Sequence, residues 1–283
     1  MRSLTDKTAL ITGSTDGVGR LVATRLASDG AQVLVHGRNR ERAEQVVEDI
    51  RQGGGRARFY SADLASLDEV RGLAAAVQRD HPRLDILINN AGIGSASGGR
   101  QRRISADGYE LRFAVNYLAG FLLARLLLPL LKASAPSRIV NVASAGQYPI
   151  DFADVMLTQH YDGGRAYTQS KLAQITFTLD LAEELAGSGV TVNSLHPATY
   201  MNTTMVRESG NAPISTVEEG ADAILRLAVA PELESRSGLY FDRMRETRAQ
   251  PQAYDTAARQ RLRTLSFELT GLDASQPARE TSP

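Results

Sequence analysis

Apolar residues in the first 90 positions change period repeatedly, from short continuous runs to the three-and-four spacing of a helix. The short runs predict β-strands at residues 8–12, 32–36, 56–61 and 84–89. The segments between them predict helices at residues 17–28, 39–52 and 66–80. Strands that alternate with helices in this way indicate a parallel sheet with right-handed crossovers.

The same alternation continues through the second half of the chain. It predicts helices at residues 107–131, 166–186, 218–229 and 255–269. It predicts further strands at residues 137–143, 190–195 and 238–241. We therefore expect one α/β domain over residues 1–270, with a doubly wound parallel sheet of about seven strands. The polar residues 271–283 are expected to be a disordered tail.

The amino-acid composition argues against several kinds of functional site. The chain has no cysteine and four histidines, which excludes disulfides and thiolate metal sites and makes any metal site unexpected. Its 32 basic and 32 acidic side chains balance, so no nucleic-acid partner is expected. The most apolar stretch, residues 118–131, is shorter than the ~20 residues of a membrane span and predicts a buried helix. No signal-peptide pattern opens the chain, and we expect a cytoplasmic protein.

A glycine-rich turn separates the first strand from the first helix. Its glycines, Gly13, Gly17 and Gly19, allow positive φ angles and a close approach of main chain to a pyrophosphate. The helix that follows adds free N–H groups and the positive end of its dipole. The turn therefore predicts a dinucleotide site, although such a turn can also merely link a strand to a helix. The other predicted contacts in it are Ser14, Thr15, Asp16 and Val18.

The end of the second strand bears on which dinucleotide binds. An NAD site would place a carboxylate there, but Arg38 and Asn39 stand in that position and the first acid is Glu41. A guanidinium suits a 2′-phosphate, so Arg38 favours NADP(H) over NAD. Asp16 is a contrary sign, because it adds negative charge nearby.

Four polar residues could carry catalysis. Tyr167 and Lys171 share one helix face, where the ammonium would lower the pKa of the phenol. Ser144 follows a predicted strand at the edge where ligands bind in such sheets, and its hydroxyl could hold a substrate oxygen. Asn116 lies on an apolar helix face and needs a partner, either a backbone carbonyl or a water. Taken singly, each also fits a surface pair, a turn residue or a structural amide.

In this order the motifs resemble the short-chain dehydrogenase/reductase family, over roughly residues 7–245. The resemblance implies a single Rossmann-type domain that binds NAD(P)(H) and moves a hydride between nicotinamide and a carbonyl or alcohol. The matching positions are residues 12–19, Asp63, Leu64, Asn89, Ala91, Gly92, Asn116, Ser144, Tyr167, Lys171, Pro197 and Thr199.

By that resemblance Tyr167 is the general acid/base, and Lys171 binds the nicotinamide ribose and lowers the pKa of Tyr167. Ser144 would orient the substrate oxygen, and Asn116 would hold a water that links Lys171 to solvent. On the adenosine side, Asp63 and Asn89 would contact the cofactor. The threonine that contacts the nicotinamide stays open among Thr199, Thr203 and Thr204.

The segment between Ser144 and Tyr167 is longer than usual for the family. With its extra residues 147–164, the chain is similar to the retinol-dehydrogenase-like and protochlorophyllide-reductase-like branch. This implies NADP(H) and a hydrophobic substrate of lipid, terpenoid, steroid or polyketide type. The alternatives are a non-catalytic NADP-binding sensor or scaffold, and an enzyme of the same fold for epimerisation, dehydration, or epoxide or quinone reduction.

Three loops are candidates for contacting the substrate: residues 94–105, 147–164 and a lid around 199–215. Arg100, Arg102 and Arg103 in the first could meet an acidic group, but a solvated loop is the simpler expectation. Helices 107–131 and 166–186 are apolar on more than one face, which predicts a homodimer or homotetramer unless an insert covers them. The interface candidates are Gln174, Phe177 and Leu181.

Overall fold

A single twisted sheet forms the centre of the protein, for which a computed structural model describes residues 3–96 and 101–273. Within these residues it has eight strands in the order β3-β2-β1-β4-β5-β6-β7-β8. The strands are β1 (Thr8–Ile11), β2 (Gln32–Gly37), β3 (Arg56–Ser61), β4 (Ile86–Asn89), β5 (Ser137–Val142), β6 (Val190–His196), β7 (Leu239–Asp242) and β8 (Arg245–Thr247). The first seven pair in parallel, and β8 pairs antiparallel to β7.

Helices cover both faces of the sheet. They are α1 (Gly17–Ser28), α2 (Arg40–Gln52), α3 (Leu67–Asp80), α4 (Ala119–Ala133), α5 (Gly163–Glu184), α6 (Thr204–Glu208), α7 (Val217–Val229) and α8 (Thr256–Thr270). The apolar sides of α1, α2 and α7 bury one face, and those of α3, α4, α5 and α8 bury the other. The doubly wound α/β prediction is therefore confirmed.

The pattern prediction missed the short helix α6, and two further details differ from it. The sheet has an eighth strand, β8, which is three residues long and too polar to show an apolar alternation. The helix predicted from residue 107 begins later, because Gly108 has a φ of +84° and Glu110 pairs with Ile104 in an antiparallel bridge. A π-helical segment, Phe113–Leu118, then leads directly into α4.

The stretch Phe113–Ala133 is long and apolar enough to cross a membrane, the one such helix among the described residues. Most of it is buried inside the protein, where α4 packs against α3. Its apolar character is therefore accounted for by the core of this fold, as the buried-helix prediction requires.

The terminal helix α8 packs over α5 and α4. The ring of Phe267 meets Phe121 edge-on with 5.5 Å between centroids, and Arg263 donates to Asp180 at 2.6 Å. Gln174, Phe177 and Leu181 are buried within this single chain. Their apolar surroundings therefore need no second subunit, and a homodimer or homotetramer stays a prediction. Residues 274–283 of the predicted tail lie outside the described residues.

Candidate functional site

The glycine-rich turn presents main chain rather than side chains. Gly13 and Gly17 have φ angles of +66° and +53°, and the carbonyl oxygen of Gly13 leaves no room for a Cβ on Gly19. Substituting any of these three glycines would therefore deform the turn. Asp16 caps α1 by accepting a 2.7 Å hydrogen bond from the N–H of Gly17.

The side chains between these glycines mainly support the turn. Ser14 is fully buried, and its hydroxyl donates to the carbonyl of Ile11 at 2.8 Å and accepts from the N–H of His36 at 3.0 Å. Val18 lies in the core with α1, and Thr15 packs against Gly37. Predicted contacts of Ser14 and Val18 with a ligand are thus limited to their main-chain atoms.

His36 is a residue of this site that the sequence pattern did not reveal. Its Nδ1 accepts a 3.2 Å hydrogen bond from the N–H of Gly13. The ring is only 2% exposed, and burial lowers the pKa of His36 to about 4. The His36 ring is therefore neutral at physiological pH and supports the glycine turn through its hydrogen bond with Gly13.

The predicted adenosine end of the site lies where β2 and β3 end side by side. Arg38 and Asp63 approach within 3.6 Å there, and the Arg38 side chain is 73% exposed. Both predicted residues therefore reach one surface, where the exposed Arg38 side chain faces the carboxylate of Asp63. Asn39 instead caps α2 by accepting from the N–H of Arg42 at 2.8 Å, and Leu64 is buried in the core.

Of the two asparagines that follow one another at the end of β4, the second reaches the glycine turn. Asn90 donates from Nδ2 to the carbonyls of Thr12 and Gly13 at 2.9 and 3.2 Å. Asn89 instead packs against Gly120 of α4, where its Nδ2 donates to Asn141 at 2.9 Å. Asn90 was missed because the motif alone does not tell which amide faces the turn. The hydroxyl of Thr12 accepts from the N–H of Ala91, which holds this strand end against β1.

Ser144 and Tyr167 meet at the carboxyl end of β5. The Ser144 side chain lies near the Tyr167 hydroxyl and favours the ionised phenol. Burial raises the pKa of Tyr167, and the proximity of Ser144 partly offsets that rise. The Ser144 oxygen also accepts from the N–H of Gly146 at 3.0 Å, which fixes its direction. A hydroxyl pair of this kind can hold and protonate a substrate oxygen.

Lys171 lies next to this pair, with its Nζ 5.9 Å from the centroid of the Tyr167 ring. The Lys171 side chain is 4% exposed, and burial lowers the pKa of Lys171 to about 7. Its Nζ donates to the carbonyl of Val142 and to Oε1 of Gln174, both at 2.9 Å. Gln174, predicted as an interface residue, therefore contacts the candidate catalytic lysine.

Asn116 lies in the π-helical segment and finds its partners in the protein. Its Oδ1 accepts from the N–H of Ile93 at 2.7 Å, and its Nδ2 donates to the carbonyl of Ile93 at 3.1 Å and to Ser170 at 2.9 Å. Gly92 brings this loop to Lys171: a Cβ on Gly92 would lie 3.4 Å from Nζ and 3.3 Å from Oδ1 of Asn116. The four predicted catalytic residues are thus brought together.

The predicted lid begins against the glycine turn. Thr204 donates to Asp16 at 2.8 Å, and the methyl group of Thr203 lies beside Gly17. Thr199 instead forms a 2.9 Å hydrogen bond with His196, and Pro197 is buried next to it. Two of the three candidate threonines therefore face the dinucleotide turn, which favours Thr203 or Thr204 over Thr199 for a cofactor contact.

In the described part of the arginine loop, Arg102 contacts the long insert, whereas the side chain of Arg103 is exposed. Arg102 donates from Nε to the carbonyl of Met156 at 2.9 Å, and Arg103 accepts through its carbonyl from the N–H of Leu111. Arg100 lies outside the described residues. Among the described residues, no cluster of histidines and carboxylates could hold a metal ion.

Comparisons with known proteins point to one family. The sequence pattern of the family described as short chain dehydrogenase matches residues 7–213. Retinol dehydrogenase 13 of Mus musculus is 41% identical over 286 residues, which cover 94% of this chain and 84% of that protein.

Solved structures also superpose on this fold. A crystal structure of an uncharacterized protein from Mycobacterium Paratuberculosis gives a TM-score of 0.78 at 27% identity, covering 96% of each chain. A short chain dehydrogenase from Burkholderia cenocepacia J2315, in complex with NADP, gives 0.68 at 30% identity, covering 85% of this chain and 97% of that one.

Proposed function

The chain belongs to the short-chain dehydrogenase family of oxidoreductases, and on that basis we propose that it is an NADP(H)-dependent enzyme. It would move a hydride between the nicotinamide and the carbonyl or alcohol carbon of a small hydrophobic substrate. The observation that carries this proposal is the cluster of Ser144, Tyr167 and Lys171 at the sheet edge beside the glycine turn. A protein that only bound the dinucleotide would not need this cluster.

Tyr167 is proposed as the group that gives or takes the proton. Its hydroxyl lies near Ser144, so a substrate oxygen placed there would meet two hydroxyl groups. Burial raises the pKa of Tyr167. A charged Lys171, with its Nζ 5.9 Å from the centroid of the Tyr167 ring, would favour the phenolate. Ser144 would orient the substrate oxygen, and Asn116 holds the Ile93 main chain beside Lys171.

The residues present fit a nicotinamide dinucleotide. The turn of Gly13, Gly17 and Gly19 offers main-chain N–H groups and the N-terminus of α1 to a pyrophosphate. Exposed Arg38 supports a 2′-phosphate, and the solved relative from Burkholderia cenocepacia contains NADP. When bound, the nicotinamide supplies or accepts the hydride, and Lys171 would hold its ribose.

The proposed substrate class rests on the surroundings of Tyr167. Tyr148 and Tyr200 expose large parts of their rings, and Tyr200 is near enough to influence the pKa of Tyr167. The relatives called retinol dehydrogenase are named for a lipophilic alcohol. We therefore propose a hydrophobic ketone, aldehyde or alcohol of lipid, terpenoid, steroid or polyketide type. A cytoplasmic location stays a prediction from the sequence.

The test is a panel of hydrophobic carbonyls and alcohols with NADPH, NADH and their oxidised forms, read by nicotinamide absorbance. Tyr167→Phe should lower kcat by about 100-fold or more, the usual contribution of a general acid or base, and leave NADPH binding intact. Tyr109→Phe is the control, since it removes a hydroxyl that bonds the carbonyl of Leu269, away from Ser144 and Tyr167. NADPH binding without turnover of any substrate would instead support a non-catalytic sensor or scaffold.

A further inference from the structure

A buried ionic group lies beside the site and takes no part in the proposed chemistry. Arg112 and Glu110 are 2% and 1% exposed, with Arg112 Nη1 3.7 Å from Glu110 Oε1. The hydroxyl of Tyr161 joins them, accepting from Arg112 at 2.5 Å and donating to Glu110 at 3.0 Å. Burying such a pair is costly unless further hydrogen bonds complete it. Tyr161, which belongs to the insert of residues 147–164, provides two of them.

The Tyr161 hydroxyl keeps its proton in this position. Burial, followed by the negative charge of Glu110, raises the pKa of Tyr161 to about 12. The phenol therefore stays a hydrogen-bond donor to the Glu110 carboxylate throughout the working pH range of most enzymes.

The other end of Arg112 holds main chain next to the candidate lysine. Its Nε donates to the carbonyl of Gly94 at 3.0 Å, and its Nη2 donates to the carbonyl of Ser95 at 2.8 Å. Asn116, four residues later, donates from its Nδ2 to the carbonyl of Ile93. Two side chains of one helical stretch thus bind three successive carbonyls, immediately after the Gly92 main chain that abuts Lys171.

The insert also reaches the same loop by direct packing. A Cβ on Gly163 would lie 2.8 Å from the carbonyl oxygen of Ser95, so only glycine fits where α5 begins. Gln169 fixes the rest of the insert to α5, accepting from the N–H of Asp151 at 2.9 Å and donating to the carbonyl of Val155 at 2.8 Å. The insert is therefore bound to the helix that carries Tyr167.

We propose that Tyr161, acting through Arg112, is a positioning residue that couples the insert to the Ile93–Ser95 main chain and so sets the geometry around Lys171. This inference rests on the proposed function. Loosening the loop moves groups beside the reacting atoms without removing any of them. Its effect should therefore fall on kcat more than on the KM for NADPH.

The test begins with Tyr161→Phe, which removes the hydroxyl and keeps the ring. We expect kcat to fall about tenfold, since small misplacements near reacting atoms are costly, with the KM for NADPH nearly unchanged. Hydrogen exchange of a peptide over residues 88–96 should speed up in the same variant. Tyr109→Phe is the matched control, because it loses a hydroxyl bond to the carbonyl of Leu269, away from this loop.

A double-mutant cycle with Arg112→Lys tests whether Tyr161 acts through Arg112. The double variant should be no slower than the worse single variant, because both changes release the same loop. Additive losses in kcat would overturn the coupling, as would unchanged exchange over residues 88–96 in a Tyr161→Phe enzyme that retains full activity. If the wild-type protein turns over no substrate but exchange still rises in Tyr161→Phe, the positioning role holds and the proposed function fails.

Discussion

The Nζ atom of Lys171 donates a 2.9 Å hydrogen bond to Oε1 of Gln174, one turn farther along α5. With the carbonyl of Val142, this amide oxygen is a partner that favours the charged form of a buried lysine. Burial acts in the opposite direction and lowers the pKa of Lys171 to about 7. The charge on Lys171 near neutral pH is therefore balanced between burial and these two acceptors.

Replacing Gln174 by Met should shift that balance toward neutral lysine. Loss of a hydrogen bond to a charged group costs about 1.5–3 kcal/mol, which corresponds to a pKa lowered by about one unit or more. Because the ammonium supports Tyr167, the decline of kcat/KM toward alkaline pH should begin at lower pH in Gln174→Met. Gln52→Met, on the exposed end of α2, is the control. An unshifted pH profile would show that Gln174 does not govern the charge of Lys171.

Burial of Lys171 should also appear in the pH dependence of stability. The folded pKa is about 7 against an ordinary 10.5, so between these values the unfolded chain binds a proton that the folded protein does not. Stability contributed at this site therefore rises with pH across that window. Relative to Lys171→Met, the wild-type protein should gain a few kcal/mol of unfolding free energy between pH 7 and pH 10.

Denaturant unfolding of both proteins at several pH values measures this difference. Lys132→Met is the matched control because Lys132 is exposed on the last turn of α4. Parallel stability curves for the wild-type protein and Lys171→Met would contradict the prediction.

Arg38→Ala should weaken the binding of NADPH much more than the binding of NADH. Loss of one charge-assisted contact to a 2′-phosphate costs about 1.5–3 kcal/mol, so the Kd for NADPH should rise by about tenfold or more. NADH has no such phosphate, and its Kd should hardly change. Arg40→Ala is the control, since Arg40 is equally exposed and pairs with Glu44 at 3.0 Å. An equal loss of affinity for both cofactors would show that Arg38 does not contact the 2′-phosphate.

His36 should make the protein sensitive to acid. Its folded pKa is about 4 against an ordinary 6.5, so the unfolded chain binds the extra proton between these values. Its stabilising contribution is present above pH 6.5 and is lost as the pH falls to 4, at a cost of about 3 kcal/mol. His36→Asn should flatten this acid limb in denaturant unfolding, whereas His160→Asn, at an exposed site, should not. Identical acid limbs in His36→Asn and the wild-type protein would contradict it.

Local spacing accounts for the parts of the site that could be predicted. The glycine turn and the Tyr167–Lys171 pair each lie within one short segment, where sequence separation fixes which atoms share a face. Ser144 follows a recognisable strand, so its place at the carboxyl edge follows from the parallel sheet. The boundary of the helix predicted from residue 107 failed because a turn at Gly108 interrupts a pattern that still looks periodic.

The sequence by itself determined the alternation of strands and helices, the dinucleotide turn and the identity of the candidate catalytic groups, because each is a property of neighbouring residues. Only the tertiary structure decided which distant atoms meet. It joined His36 to Gly13, Gln174 to Lys171 and Tyr161 to Arg112 by hydrogen bonds. Buried polar groups need hydrogen-bond partners, and in the folded protein these partners come from residues distant in the sequence. A local sequence pattern therefore does not predict them.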